Sequence, residues 1–98
     1  MTIQKTLEGE KLTVALEGQL NTMTAPELEG ELRTAVNGIT ELVFDFSELA
    51  YVSSAGLRVL LAAQKVMNKQ GSMKIRNANE EVMDVFELTG LTDIMDIE

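Results

Sequence analysis

The chain contains no cysteine and no histidine. The first absence excludes disulfides, thiolate nucleophiles and Cys-ligated zinc or iron–sulfur centres, and the second excludes Ser–His triads and imidazole metal ligands. Tryptophan is also missing, and one tyrosine with three phenylalanines are the only aromatics, too few for a base-stacking surface. Basic residues are scarce: eight Lys and Arg stand against 16 Asp and Glu, a net charge of −8. Generic contact with a phosphate backbone is disfavoured at that charge, so no direct nucleic-acid partner is expected. The longest fully apolar stretch, Val59–Ala63, falls far short of the roughly 18 residues that a membrane span needs. Met1–Lys5 lacks the apolar region of a secretion signal. The expectation is a soluble, cytoplasmic chain without membrane insertion. Its 98 residues, 45% of them hydrophobic, suit one domain over residues 1–98 with one core.

Charge is distributed unevenly. Residues 1–48 carry three bases and nine acids, and residues 80–98 carry seven acids and no base. Between them, residues 49–79 hold Arg58, Lys65, Lys69, Lys74 and Arg76 and no acid. Such a run reads either as a solvated basic helix face or as a local positive field for an anion or charged partner.

Thr2–Leu7 and Leu12–Glu17 alternate in polarity and flank Gly9-Glu10-Lys11, the pattern of a hairpin ended by Gly18. Thr24 and Glu27 form a capping box ahead of a helix whose face carries Leu28, Leu32, Ala35, Val36 and Ile39, with Pro26 in its first turn and Gly38 at its end. Glu41–Phe46 reads as a strand covered on both faces, and Ser47–Val52 as a loop. A long helix opens at Ser53-Ser54-Ala55-Gly56 and ends near Gln70-Gly71. Its apolar residues wrap more than half the circumference, which predicts a second contact besides the sheet. Ser72–Arg76 forms a further strand, Asn77 with Glu80 caps a third helix closed by Gly90, and Leu91–Ile97 forms a short last strand. The order β-β-α-β-α-β-α-β predicts an α/β fold: a mixed, mostly parallel sheet of four to five strands with helices on one face.

Candidate chemistry is limited to carboxylates, hydroxyls and backbone donors. Asp45 does not fit a receiver-type phosphoacceptor, because Phe46 follows it and no acidic pair follows the first strand. A structural acid bonded to a backbone donor or to Arg or Lys is the expectation there. Acids near Glu27 and Glu80 sit where first helical turns favour them, so no metal site is expected. Ser53 and Ser54 are different. Free N–H groups and the positive end of the helix dipole favour an oxygen or anion at that junction. Ala55 and Gly56 keep it unobstructed, and Arg58 adds a cation one turn on. Both serines also read simply as N-caps. A phosphoryl group at Ser54 would add about −1.5 to −2 charges at a place already shaped for anions.

Asp45-Phe46-Ser47-Glu48-Leu49-Ala50-Tyr51-Val52-Ser53-Ser54-Ala55-Gly56-Leu57-Arg58-Val59-Leu60-Leu61 resembles the signature of STAS domains, specifically of bacterial anti-sigma factor antagonists. The likeness extends through Gly18–Leu28 and Val85–Leu91 and covers essentially the whole chain. It implies the STAS fold and a switch without catalysis or cofactor. In that family the unmodified antagonist binds an anti-sigma factor, commonly a serine kinase of the ATPase type, and so releases the sigma factor. Phosphorylation blocks binding and a PP2C-type phosphatase restores it. Alignment on the Gly-Leu pair puts the phospho-acceptor at Ser54 and implies partner binding by Asn21, Thr22, Ser53, Ser54, Ala55, Gly56, Leu57 and Arg58. This chain departs from the family in having Asn21 and Ser53 where aspartates are common and Gln19 where glutamate is frequent. All three changes remove negative charge. Ser53 is thereby a second possible acceptor. The neutral residues also keep open a STAS scaffold or transporter-associated module, such as a lipid-transport component, without phospho-switching.

Overall fold

Alternating apolar residues build the sheet first. In the computed structural model, which describes Met1–Glu98, β1 (Thr2–Glu8) and β2 (Lys11–Leu20) pair antiparallel from Thr2 opposite Glu17 to Glu8 opposite Lys11. Gly9, at φ +63°, takes the first position of the two-residue turn, where a left-handed backbone suits glycine. The remaining elements are α1 (Ala25–Ala35), β3 (Glu41–Val52), α2 (Ser54–Gln70), β4 (Ser72–Arg76), α3 (Glu80–Leu88) and β5 (Asp96–Ile97). The strands lie in the order β1-β2-β3-β4-β5, with every pair after the hairpin parallel. Each crossover therefore advances one strand the same way, and uniformly right-handed connections stack the helices on one side.

The core fills the space between sheet and helices. Leu12, Val14 and Leu16 of β2, Leu42, Phe44 and Phe46 of β3, and Met73 and Ile75 of β4 meet Leu28 and Leu32, Leu60 and Met67, and Val82 and Phe86. Phe46 stacks on Phe86 with ring centroids 6.5 Å apart, which pins α3 to the middle of the sheet. The opposite sheet face is uncovered. Val43 is buried there but lies outside this core, between Thr13 and Lys74 on the neighbouring strands. Its apolar character, not a second helical layer, makes β3 read as continuously hydrophobic, so the expected coverage on both faces is corrected.

Several local expectations change. Residues 47–52 are strand, not loop, and Gly18 does not end β2. From Ala15 to Glu17 β2 advances two residues while β3 advances three, from Asp45 to Glu48. A second extra β3 residue falls between Leu49 and Tyr51. These bulges bring Phe46, Leu49 and Val52 inward at a spacing of three, which disguises the strand. Thr24 caps α1 without a side-chain bond to its amides. Asn79, not Asn77, caps α3, accepting from the Val82 amide at 2.8 Å. Asn77 takes a left-handed φ of +62° instead. The final stretch is a short 3₁₀ turn, Leu91–Asp93, before a two-residue strand.

Candidate functional site

Open α/β sheets gather functional residues at the carboxyl ends of parallel strands. Here the ends of β2 and β3 bring Leu20–Thr24 beside Ser53–Arg58. The Ser53 amide donates to the Leu20 carbonyl at 2.8 Å, extending the β2–β3 ladder into the first residue before α2. Gly56 then packs directly on Leu20: a Cβ there would lie 2.6 Å from Leu20 Cγ and 3.0 Å from its carbonyl oxygen. Glycine at position 56 is thus what lets the start of α2 sit against the end of β2.

Ser53 and Ser54 divide the two roles open to them. Ser53 is the N-cap of α2, half-buried, its hydroxyl accepting from the Gly56 amide at 3.5 Å. Ser54 is the first residue of the helix, is exposed, and its hydroxyl makes no hydrogen bond within the chain. The amides of Ser54 and Ala55 likewise have no partner, as first-turn amides do not. The site therefore presents a free hydroxyl, two free donors and the positive helix end. Arg58 is exposed one turn along, and Ala55 is half-buried. Gly56 and Leu57 are buried and shape the site from beneath.

Across from it, Asn21 organises the β2–α1 loop. Its side-chain oxygen accepts from the Met23 amide at 3.0 Å and the Thr24 amide at 3.1 Å. The Thr24 hydroxyl accepts from the Asn21 amide and donates to the Gln19 carbonyl, both at 2.8 Å. Thr24 thus braces the loop instead of capping the helix. An aspartate at position 21 could accept both amide bonds equally well, so asparagine alters the charge and not the turn. Thr22 is exposed and, with Ala55 and Arg58, lines a shallow depression of about 210 Å³.

Asp45 belongs to the scaffold. Its carboxylate accepts from the Asn77 side chain at 3.1 Å and the Ser47 amide at 3.0 Å. The Asn77 bond and the Ser47 bond hold its pKa below the usual carboxylate value against the opposing effect of burial, with a lesser contribution from the Arg76 charge. Two residues that lie in the family motifs but were assigned no role stand at the same sheet end: Met23, 89% exposed, and Tyr51, 43% exposed. An apolar side chain in an otherwise polar loop was the available signal for Met23. Tyr51 was hidden by the bulges that disguise its strand.

The likeness of this chain to known proteins spans nearly its whole length. The profile of the family described as "Mlab, STAS domain" matches residues 3–96. BtrV of Bordetella bronchiseptica, named as an anti-sigma factor antagonist, is 38% identical over 88 residues, covering 88% of this chain and 76% of its own. The anti-sigma-B factor antagonist of Bacillus subtilis is 32% identical over 87 residues, covering 88% and 80%. Among solved structures, an anti-sigma factor antagonist from Mycobacterium paratuberculosis matches with a TM-score of 0.89 at 24% identity, over 98% of this chain and 83% of that one. The Bacillus cell-fate determinant SpoIIAA in its phosphorylated form matches at 0.78 and 20% identity, over 99% and 91%.

Proposed function

The chain belongs to the STAS-domain family of anti-sigma factor antagonists, and from that premise we propose that it is itself such an antagonist, gated by phosphate on Ser54. In this reading the unmodified chain binds an anti-sigma factor of the serine-kinase ATPase type through Asn21, Thr22 and the Ser53–Arg58 segment. Phosphorylation of Ser54 by that factor blocks binding, and a PP2C-type phosphatase restores it. One observation carries the proposal. Ser54 is exposed and bonded to nothing, whereas its neighbour Ser53 holds the cap and the Leu20 bond. The scaffold loses no internal bond when Ser54 is modified. The two free amides and Arg58 accommodate the added charge, while the surface potential seen by a partner reverses sign. The chain acts by binding, and its acids and hydroxyls include no group poised to activate a nucleophile.

The test is incubation with the kinase-type anti-sigma factor and ATP, followed by mapping of the modified residue. Phosphate at Ser54, abolished in Ser54→Ala, with loss of binding in Ser54→Asp, is expected. Phosphate only at Ser53 or elsewhere refutes the assignment. A second reading, a transporter-associated STAS module without phosphate switching, is favoured by the uncharged Asn21, Ser53 and Gln19. It requires that no phosphate be incorporated and that the chain co-purify with membrane transport components.

A further inference from the structure

The acid-free stretch resolves into two parts once ion pairs are assigned. Lys74 and Arg76 pair with Glu98 at 3.5 and 3.7 Å, Lys11 with Glu41 at 3.9 Å, Arg33 with Glu29 at 2.9 Å, and Lys5 with Glu31. The three remaining bases, Arg58, Lys65 and Lys69, all belong to α2, are all exposed and have no acidic partner. At about 100° per residue they fall within about 40° of one another, and Ser54 lies a further ~40° or less from Arg58. They form one crest that starts at the candidate phospho-acceptor. In a chain of net charge −8, this is where cationic charge stands uncompensated.

Beside the crest runs an apolar groove between α1 and α2. Leu32, Val36, Val59, Ala63 and Val66 line a cavity of about 490 Å³. It continues into the smaller depression at Thr22, Ala55 and Arg58, since Glu29 and Val59 line both. On the α1 rim Glu29 is neutralised by Arg33, whereas the α2 rim keeps its positive charge. The expected second contact of α2 is therefore only partly met by α1, and Val66 remains 40% exposed.

We propose that this groove seats an acidic amphipathic helix of the partner protein, with apolar side chains against Val59, Ala63 and Val66 and carboxylates along Arg58, Lys65 and Lys69. Two helical walls with an apolar floor suit the helix-in-groove mode of recognition, and the uncompensated crest selects an acidic flank. Only the regulatory part rests on the reading of Ser54 above. Phosphate four residues before Arg58 reaches its guanidinium, cancels one cation and repels the acidic flank.

The test titrates the full isotope-labelled chain with a synthetic amphipathic helix bearing leucines on one face and glutamates on its flank, followed by amide shifts. In parallel arms the glutamates are replaced by lysines, or the peptide is replaced by phosphatidylserine-containing vesicles. Expected are shifts over residues 32–37 and 59–66, with binding weakened at least about tenfold by the lysine peptide and by the Lys65→Glu/Lys69→Glu variant. The Lys74→Glu variant should bind as wild type does. Equal binding of both peptides, shifts confined to the open sheet face, avid vesicle binding, or no response to the acidic peptide overturns the proposal. Groove occupancy that is unchanged in Ser54→Asp upholds the seat and counts against the Ser54 reading, so the two failures are distinguishable.

Discussion

Replacing Gly56 with alanine tests how the start of α2 is held against the end of β2. The new Cβ would lie 2.6 Å from Leu20 Cγ and 3.0 Å from both Leu20 Cδ2 and the Leu20 carbonyl oxygen. Carbon atoms attract best near about 3.5–4.0 Å, so close to 1 Å must be recovered by movement. Leu20 is fully buried and its carbonyl holds the Ser53 amide at 2.8 Å, so neither yields freely. Overpacking costs about 1–3 kcal/mol, offset by at most about 1 kcal/mol from alanine's better helix propensity. A net loss of about 1–2 kcal/mol is expected, read as a lower midpoint of urea unfolding at unchanged slope. The decisive control is the same change in a Leu20→Ala background, where the crowding side chain is gone. There Gly56→Ala should cost less than about 0.5 kcal/mol, a coupling typical of residues in direct contact. A neutral Gly56→Ala in the parent chain, or the same cost in both backgrounds, refutes the argument.

Other perturbations address the scaffold and its pH response. Gly71→Ala places a Cβ 1.8 Å from the Thr40 carbonyl oxygen, a backbone atom bonded to the Ser72 amide; a loss of about 3 kcal/mol in chemical unfolding is expected. Gln64 is buried with its side-chain oxygen unpartnered, while its side-chain nitrogen donates to exposed Asn68 at 2.8 Å. Gln64→Leu removes the orphan acceptor at the cost of that one bond, so a net gain of up to about 1 kcal/mol, read as a higher Tm by calorimetry, is expected. Asp45 has its pKa lowered in the folded state. Its contribution is therefore complete above the unfolded value of about 3.9 and is lost as pH falls through the lower folded value. Asn77→Ala should destabilise the chain at neutral pH and progressively less as the pH is taken below about 4, followed by unfolding curves across that range.

Residues that act over one or two turns were legible in sequence. The Gly9 hairpin, the α2 boundaries at Ser53 and Gly71 and the β-α alternation follow from local periodicity, and the placement of the helices on one face follows from right-handed crossovers. What was hidden depends on partners distant in sequence. The upper half of β3 looks irregular because its two bulges are defined only by pairing with β2. Asn79 displaces Asn77 as a cap because Asn77 is drawn to Asp45, 32 residues earlier. Thr24 forgoes its helix because Gln19 and Asn21 claim its hydroxyl. At the candidate site, the serine pair was visible but the division of labour was not: which hydroxyl caps and which stands free is decided by the geometry of Leu20 and Gly56. The unpaired crest of α2 likewise emerges only after Glu98 is seen to take Lys74 and Arg76.

The proposed switch requires that a covalently attached phosphate at position 54 decide partner binding without unfolding the chain. Calorimetric titration of the kinase-type anti-sigma factor, without nucleotide turnover, into unmodified and stoichiometrically Ser54-phosphorylated protein measures this directly. An affinity at least about 100-fold lower for the phosphorylated form, a difference of about 2.7 kcal/mol, is predicted, with both forms giving the same unfolding midpoint within error. Affinities within about threefold of one another, or a phosphorylated form that fails to bind because it has lost its fold, would contradict it.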